Sequence, residues 1–195
     1  MIDMPALLLS DTYKQTHDRM FPKGLTKLVS YWVPRKSMFK NIDKMVFFGL
    51  QAFIKEYLLE YFAKNFFRKN KEDVLEEYRK YMNVQIGPEN YDIEKIEHLY
   101  DLGYLPLEIR ALPEGTKVNM GIPCIEITNT HPDFAWVVQW IECILQVELW
   151  KICCHATVGN LYRTVSDFYY EKTVDDAEPE NSMADFGMRG MSCLE

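Results

Sequence analysis

The sequence predicts an α+β fold over residues 1–148, followed over 149–195 by a helix, a loop and a strand that open a second unit. Three observations carry this reading. Between 45 and 101 apolar side chains recur at three- and four-residue steps, the spacing that lays them along one face of a helix. Between 105 and 128 the period falls to two, as in half-buried strands. Beyond 148 a further helical pattern leads through an acidic loop into a short apolar run.

The elements follow in order. Leu50, Phe53, Ile54, Tyr57, Leu58, Tyr61 and Phe62 predict an amphipathic helix over 45–69. Its end, Arg68-Lys69-Asn70-Lys71, is basic, which suits the negative pole of a helix C-terminus. Val74, Leu75, Tyr78 and Met82 predict a helix over 72–82. Ile93, Ile96, Leu99 and Tyr100 predict another over 91–101, stopped by Gly103. Leu105, Leu107, Ile109 and Ala111 then alternate with Pro106, Glu108 and Arg110, as a strand with one face toward the core does. A turn at Pro113-Glu114-Gly115 separates it from strands over 116–120 and 122–128. Asn129-Thr130-His131-Pro132 opens a helix that runs to about Trp150, because a capping residue there precedes a proline in the first turn. A separate helix is expected over 155–172, on Val158, Leu161, Tyr162, Val165, Phe168 and Tyr169. The acidic loop 174–182 and a strand over 183–186 come last, and the strand delivers Gly187-Met188-Arg189-Gly190.

Composition narrows the function classes. The chain has 195 residues, 48% of them hydrophobic and 14% aromatic, enough for a real core and too much for wholesale disorder. A net charge of −7 argues against a sequence-wide nucleic-acid footprint, although a few arginines suffice to hold one phosphate. The five cysteines are odd in number, irregularly spaced and without a C-x-x-C pair, so neither a disulfide framework nor a zinc ribbon is suggested. Cys153-Cys154-His155 could be read as metal ligands, but adjacent side chains diverge and no second ligand pair follows, so Cys153 and Cys154 are expected to be buried apolar cysteines. The N-terminus lacks the basic start and longer apolar core of a signal peptide. The most apolar stretch, 135–150, is interrupted by Gln139, Glu142, Gln146 and Glu148 and reads as a buried helix, not a membrane span. A reduced, cytoplasmic chain with no nucleic-acid or membrane partner is expected.

Two stretches suggest chemistry. Asp185-Phe186-Gly187 matches the magnesium-holding tripeptide of protein kinases, but the glycine-rich loop and the H-R-D catalytic loop that a kinase needs are both missing. What remains is a strand end followed by two glycines flanking Arg189. Strand ends of this kind gather ligands, and arginine binds phosphate through paired hydrogen bonds. The same pattern also fits a surface turn with one core phenylalanine and one solvated arginine. The second stretch pairs Asp11-Thr12-Tyr13-Lys14-Gln15-Thr16-His17 with Tyr31-Trp32-Val33-Pro34-Arg35-Lys36, each mixing aromatic rings with cations. A flat, phosphorylated ligand would use such a mixture. Alternatively, Asp11 is a helix N-cap, and Lys14, Arg35 and Lys36 are solvated.

Seven stretches, in order along the chain, resemble the nicotinamide phosphoribosyltransferase family: D-T-Y-K-Q-T-H at 11–17, S-Y-W-V-P-R at 30–35, F-F-G-L-Q at 47–51, L-P-L-E-I-R-A-L-P-E-G at 105–115, G-I-P-C-I-E-I-T-N-T at 121–130, W-V-V-Q-W-I-E at 136–142 and D-F-G-M-R-G at 185–190. The resemblance covers nearly the whole chain but only the N-terminal portion of the family's length. It implies an α+β N-terminal domain, followed by the first unit of a truncated α/β barrel of the type II phosphoribosyltransferase kind. On this reading the chain ends inside the active site.

The resemblance also implies a reaction and roles. The pyridine nitrogen of nicotinamide attacks C1 of phosphoribosyl pyrophosphate, which brings magnesium, and pyrophosphate leaves. ATP is implied as a stimulator of the full-length enzyme. Phe186 resembles the phenylalanine that stacks on the pyridine ring, and Tyr13 the tyrosine that covers the other face from the partner subunit. Arg189 resembles the arginine beside the ring and the phosphoribosyl group, Asp11 an acid of the same site, and Arg35 a phosphate-binding arginine. A homodimer with shared active sites follows from these roles. Met188 stands where many relatives place a tyrosine, and Cys193 where a serine is common. The family's base-selecting carboxylate, phosphorylatable histidine, ribose-binding acid and glycine-rich phosphate loops all lie beyond 195. A nicotinate phosphoribosyltransferase fragment and a non-catalytic dimerisation module are the alternatives.

Overall fold

The computed structural model describes residues 4–174, 184 and 187–190. Apart from residue 184, the expected strand over 183–186 and most of the loop before it lie outside these residues.

Three strands, β1 (Val29–Trp32), β3 (Leu107–Ala111) and β5 (Ile125–Asn129), form an antiparallel sheet with β5 in the centre. The register sets Ile127 opposite both Ser30 and Ile109, and Glu126 opposite both Tyr31 and Arg110. Period-two alternation then sorts the faces. Ile125 and Ile127 are buried, and α4 (Ala135–Trp140) packs across β5 and β1. The other face carries a polar row in which the Arg110 guanidinium bridges Glu108 at 2.9 Å and Glu126 at 3.7 Å.

A second, two-stranded sheet pairs β2 (Lys44–Val46) with β4 (Lys117–Asn119), setting buried Met45 against buried Val118. This corrects the helix expected over 45–69. Residues 44–46 are extended, and the helix begins only at α1 (Leu50–Phe53), after Gly49 turns the chain at φ 97°. An apolar run as short as Met45-Val46-Phe47 fits either period, and the pairing with β4 decides it. Past α1 the helix widens to i→i+5 hydrogen bonds over Ile54–Tyr61 and Ala63–Phe67, closing with the Arg68 amide on the Ala63 carbonyl at 2.9 Å.

Asn70 ends that segment and starts the next. Its side chain accepts from the amides of Glu72 and Asp73 and caps α2 (Lys71–Gln85). α2 buries Val74, Leu75, Tyr78 and Met82. α3 (Glu94–Leu102) ends as expected at Gly103, whose left-handed backbone returns its amide to the Tyr100 carbonyl at 3.0 Å. Lys71 ties the two helices through Glu97 and Asp101.

The largest departure is α5 (Glu142–Thr173), one helix of 32 residues where two were expected. His131 and Pro132 start a short 3-10 turn as a cap, with His131 accepting from the Asp133 amide. α4 follows, and a local distortion at Ile141 leads directly into α5. No proline or turn-forming residue lies between 150 and 155, so nothing in Lys151-Ile152-Cys153-Cys154 stops propagation. Residue 148 therefore lies within a helix. α5 packs on β2, where the Val46 amide donates to the Thr157 hydroxyl at 2.9 Å. Its later residues Tyr162, Val165, Phe168 and Tyr169 are exposed.

Phe47, Phe53, Phe62, Phe66, Tyr78 and Trp140 fill the core between these layers, with Phe62 meeting Trp140 edge to face. Two thiols are part of it. Burial pushes Cys124 and Cys153 up to about 11, whereas neighbouring Cys154 is exposed. The reading of Cys153 and Cys154 as buried cysteines thus holds for Cys153 alone, because successive residues of a helix face different sides. At pH 8 a thiol of that pKa is ionised to roughly one part in a thousand. Iodoacetamide at pH 8 should therefore modify Cys154 well before Cys124 or Cys153, as read by peptide mass spectrometry. Equal labelling of Cys153 and Cys154 would contradict the packing of α5 on the sheet.

Candidate active site

The segment holding Asp11 and Tyr13 is short and unusually well anchored. It forms a 3-10 turn, Thr12–Gln15, preceded by Asp11. The Ser10 hydroxyl donates to the Trp140 carbonyl at 3.0 Å, and the Asp11 amide donates to the Cys143 sulfur at 3.2 Å. Gln15 is 3% exposed; its amide donates to the Leu7 carbonyl and its carbonyl accepts from the Tyr78 hydroxyl. Lys14 runs under the turn to an ion pair with Glu142, in the first turn of α5.

These anchors sort the side chains. Lys14 and Gln15 point inward, and Asp11 and Tyr13 point outward. Asp11 occupies the N-cap position, yet its carboxylate caps nothing and stays exposed. The Tyr13 ring is 57% exposed, meets His17 edge-on at 5.8 Å, and has the Lys14 ammonium 5.2 Å from its centre. The expectation that Lys14 is solvated is therefore overturned: it is 6% exposed. Burial pulls its pKa down, but the hydrogen bond and charge of Glu142 outweigh this, and the ammonium is held above its ordinary value.

Arg35 lies just past β1, beyond Pro34, whose carbonyl accepts from the Gly121 amide at 2.7 Å. Arg35 and Lys36 are exposed, and Arg35 forms no ion pair among the described residues. The strand before it is tied to α5 by the Trp32 indole, which donates to Gln146 at 2.9 Å. Cys143 and Gln146 are three residues apart, hence neighbours on one face of α5. The two suggestive stretches thus share one support, the opening turns of α5, although Asp11 and Tyr13 make no hydrogen bond to Arg35.

Phe186 lies outside the described residues. Arg189 falls in a short 3-10 turn, Gly187–Gly190, of which only the backbone course is described at that position. Among the described residues no three His, Cys, Asp or Glu side chains gather as a metal site, and no helix is long and apolar enough to cross a membrane. A cavity of about 350 Å³ near Lys95, His98, Asp101 and His131 contains none of the site residues Asp11, Tyr13, Arg35, Phe186 and Arg189. The supports Lys14, Gln15, Glu142, Cys143 and Gln146 were missed as site residues. Their signal is contact between distant parts of the chain, across 63 residues for Gln15 with Tyr78 and 128 for Lys14 with Glu142, which no local pattern carries.

Residues 5–109 match the family model described as the N-terminal domain of nicotinamide phosphoribosyltransferase. Over 190 residues the chain is 40% identical to a nicotinamide phosphoribosyltransferase of Acinetobacter baylyi, covering 93% of this chain and 37% of that protein. A Xanthomonas campestris pv. campestris protein of the same name is 29% identical over 96% of this chain and 38% of its own length. The chain thus spans under two-fifths of these two relatives. The fold resembles that in the crystal structure of human nicotinic acid phosphoribosyltransferase, with a TM-score of 0.59 and 23% identity over 82% of this chain and 29% of that one.

Proposed function

The chain belongs to the nicotinamide phosphoribosyltransferase family, and from that premise we propose that it is the N-terminal part of an enzyme joining nicotinamide to phosphoribosyl pyrophosphate. The products are nicotinamide mononucleotide and pyrophosphate, a step of NAD salvage. The carrying observation is the Asp11–Tyr13 turn: two buried polar side chains pin it from below, and one carboxylate and one ring are left facing outward. A flat base with a polar edge is the ligand such a pair suits.

The chemistry asks for little else from this region. The pyridine nitrogen carries a free lone pair, so no general base is needed. The barrier lies in holding a weak nucleophile against C1 and stabilising the developing positive ribose and the anionic leaving group. Tyr13 and Phe186 would sandwich the base, with Asp11 and Arg189 at its edge and Arg35 on a phosphate. Magnesium would arrive with phosphoribosyl pyrophosphate, as part of the substrate. ATP as a stimulator of the full-length enzyme rests on the family alone.

Two further parts of the proposal rest on α5 and Tyr13. The exposed apolar face of Tyr162, Val165, Phe168 and Tyr169 suits the start of an α/β barrel whose remainder covers it. A ring as exposed as Tyr13 suits a homodimer in which it completes the partner's site. The cytoplasmic setting rests on the odd, irregularly spaced cysteines.

The 195-residue chain alone is expected to give no turnover, because the ribose-binding acid and glycine-rich phosphate loops that the family resemblance implies are not among its residues. Purified chain, nicotinamide, magnesium and phosphoribosyl pyrophosphate should yield no nicotinamide mononucleotide by chromatography; its appearance would overturn that expectation. Competition between nicotinamide and nicotinate on a complete enzyme tests the choice of base.

A further inference from the structure

Lys14 presents a problem that the stacking role of Tyr13 does not by itself solve. Its side chain is 4% exposed, while that of its partner Glu142 is 61% exposed. Burying an ammonium is costly even when it is paired, and an apolar side chain of similar length would fill the space at less cost. Stability therefore does not explain a lysine here. Its second contact does: the ammonium that reaches Glu142 also lies 5.2 Å from the centre of the Tyr13 ring, within the range of a cation–π attraction. The other ring neighbour, His17, meets it only edge-on.

We propose that Lys14, held by Glu142, is the positioning residue that fixes the Tyr13 ring for its ligand and registers it to α5. The inference rests on the reading of Tyr13 as a base-stacking side chain. It separates two jobs within one turn. Gln15 and the Ser10 and Asp11 contacts fasten the backbone, whereas the Lys14–Glu142 pair orients the ring above it.

The test uses Lys14→Met and Glu142→Gln. Lys14→Met should leave Tm within about 2 °C of wild type or above it, since it removes a buried charge, whereas Glu142→Gln should lower Tm, since it leaves the buried ammonium without its carboxylate. In the 195-residue chain labelled with 13C on tyrosine rings, both should shift the Tyr13 signals and leave the other tyrosines in place. In a complete enzyme both should raise the KM for nicotinamide about three- to tenfold, with the KM for phosphoribosyl pyrophosphate unchanged. Unmoved ring signals in the folded variants overturn the inference. So does an unchanged nicotinamide KM in both variants when Tyr13→Ala raises it. A wild-type KM in Tyr13→Ala instead overturns the stacking reading beneath it. If Lys14→Met fails to fold, Glu142→Gln carries the test alone.

Discussion

Gly49→Ala is expected to destabilise the fold by about 3 kcal/mol and to lower Tm by roughly 6–12 °C for a chain of this size. Two independent costs combine. The backbone at φ 97° is one that residues with a Cβ rarely adopt. A Cβ there would also stand 2.7 Å from Cγ2 and 2.9 Å from Cδ1 of Ile152 on α5. Thermal unfolding of Gly49→Ala, Ile152→Ala and the double variant separates them. The double variant should lose about 1–2 kcal/mol less than the sum of the singles, because the crowding disappears while the backbone strain stays. Additive losses would mean that α5 does not approach the glycine.

Tyr13→Ala and Phe186→Ala are each expected to raise the KM for nicotinamide in a complete enzyme by about tenfold, and by up to a hundredfold if stacking reaches its usual upper range. The KM for phosphoribosyl pyrophosphate should barely move. Tyr13→Phe should retain most of the binding, since the ring face is what the base meets. Wild-type constants in both alanine variants would remove the stacking roles. The pair also tests the shared site. A heterodimer of Tyr13→Ala and Phe186→Ala subunits has one intact site and one doubly defective site if the tyrosine acts across the interface. It should then keep about half of the wild-type rate at low nicotinamide. If each subunit supplies both rings, neither site is intact and that recovery is lost.

Elements set by local spacing were legible in the chain itself. α2, α3 with its terminating Gly103, and the three strands after it fall within a few residues of their expected bounds, since apolar period and turn chemistry are written locally. Two readings failed because a distant partner decides them. Met45-Val46 became a strand by pairing with residues 117–119. The exposed apolar residues of α5 were taken for a second helix because no local signal marks how a helix continues past its buried half. The same limit governs the site. Tyr13, Asp11 and Arg35 stood out by residue type and by resemblance. Lys14 looked like any surface cation, because its burial depends on Glu142, 128 residues away.

The continuity of α5 has a mechanical consequence. It takes a hydrogen bond from the sheet at Thr157, and the residues from there to Thr173 extend about 24 Å further along one helix. A helix so held acts as a lever with its fulcrum near the Gly49–Ile152 crossing. A tilt of about 5° there would swing the far end by roughly 3 Å, several times the half-ångström within which a binding constellation must be held. The absence of a methyl group at Gly49 thus bears on where the helix end at Thr173 lies.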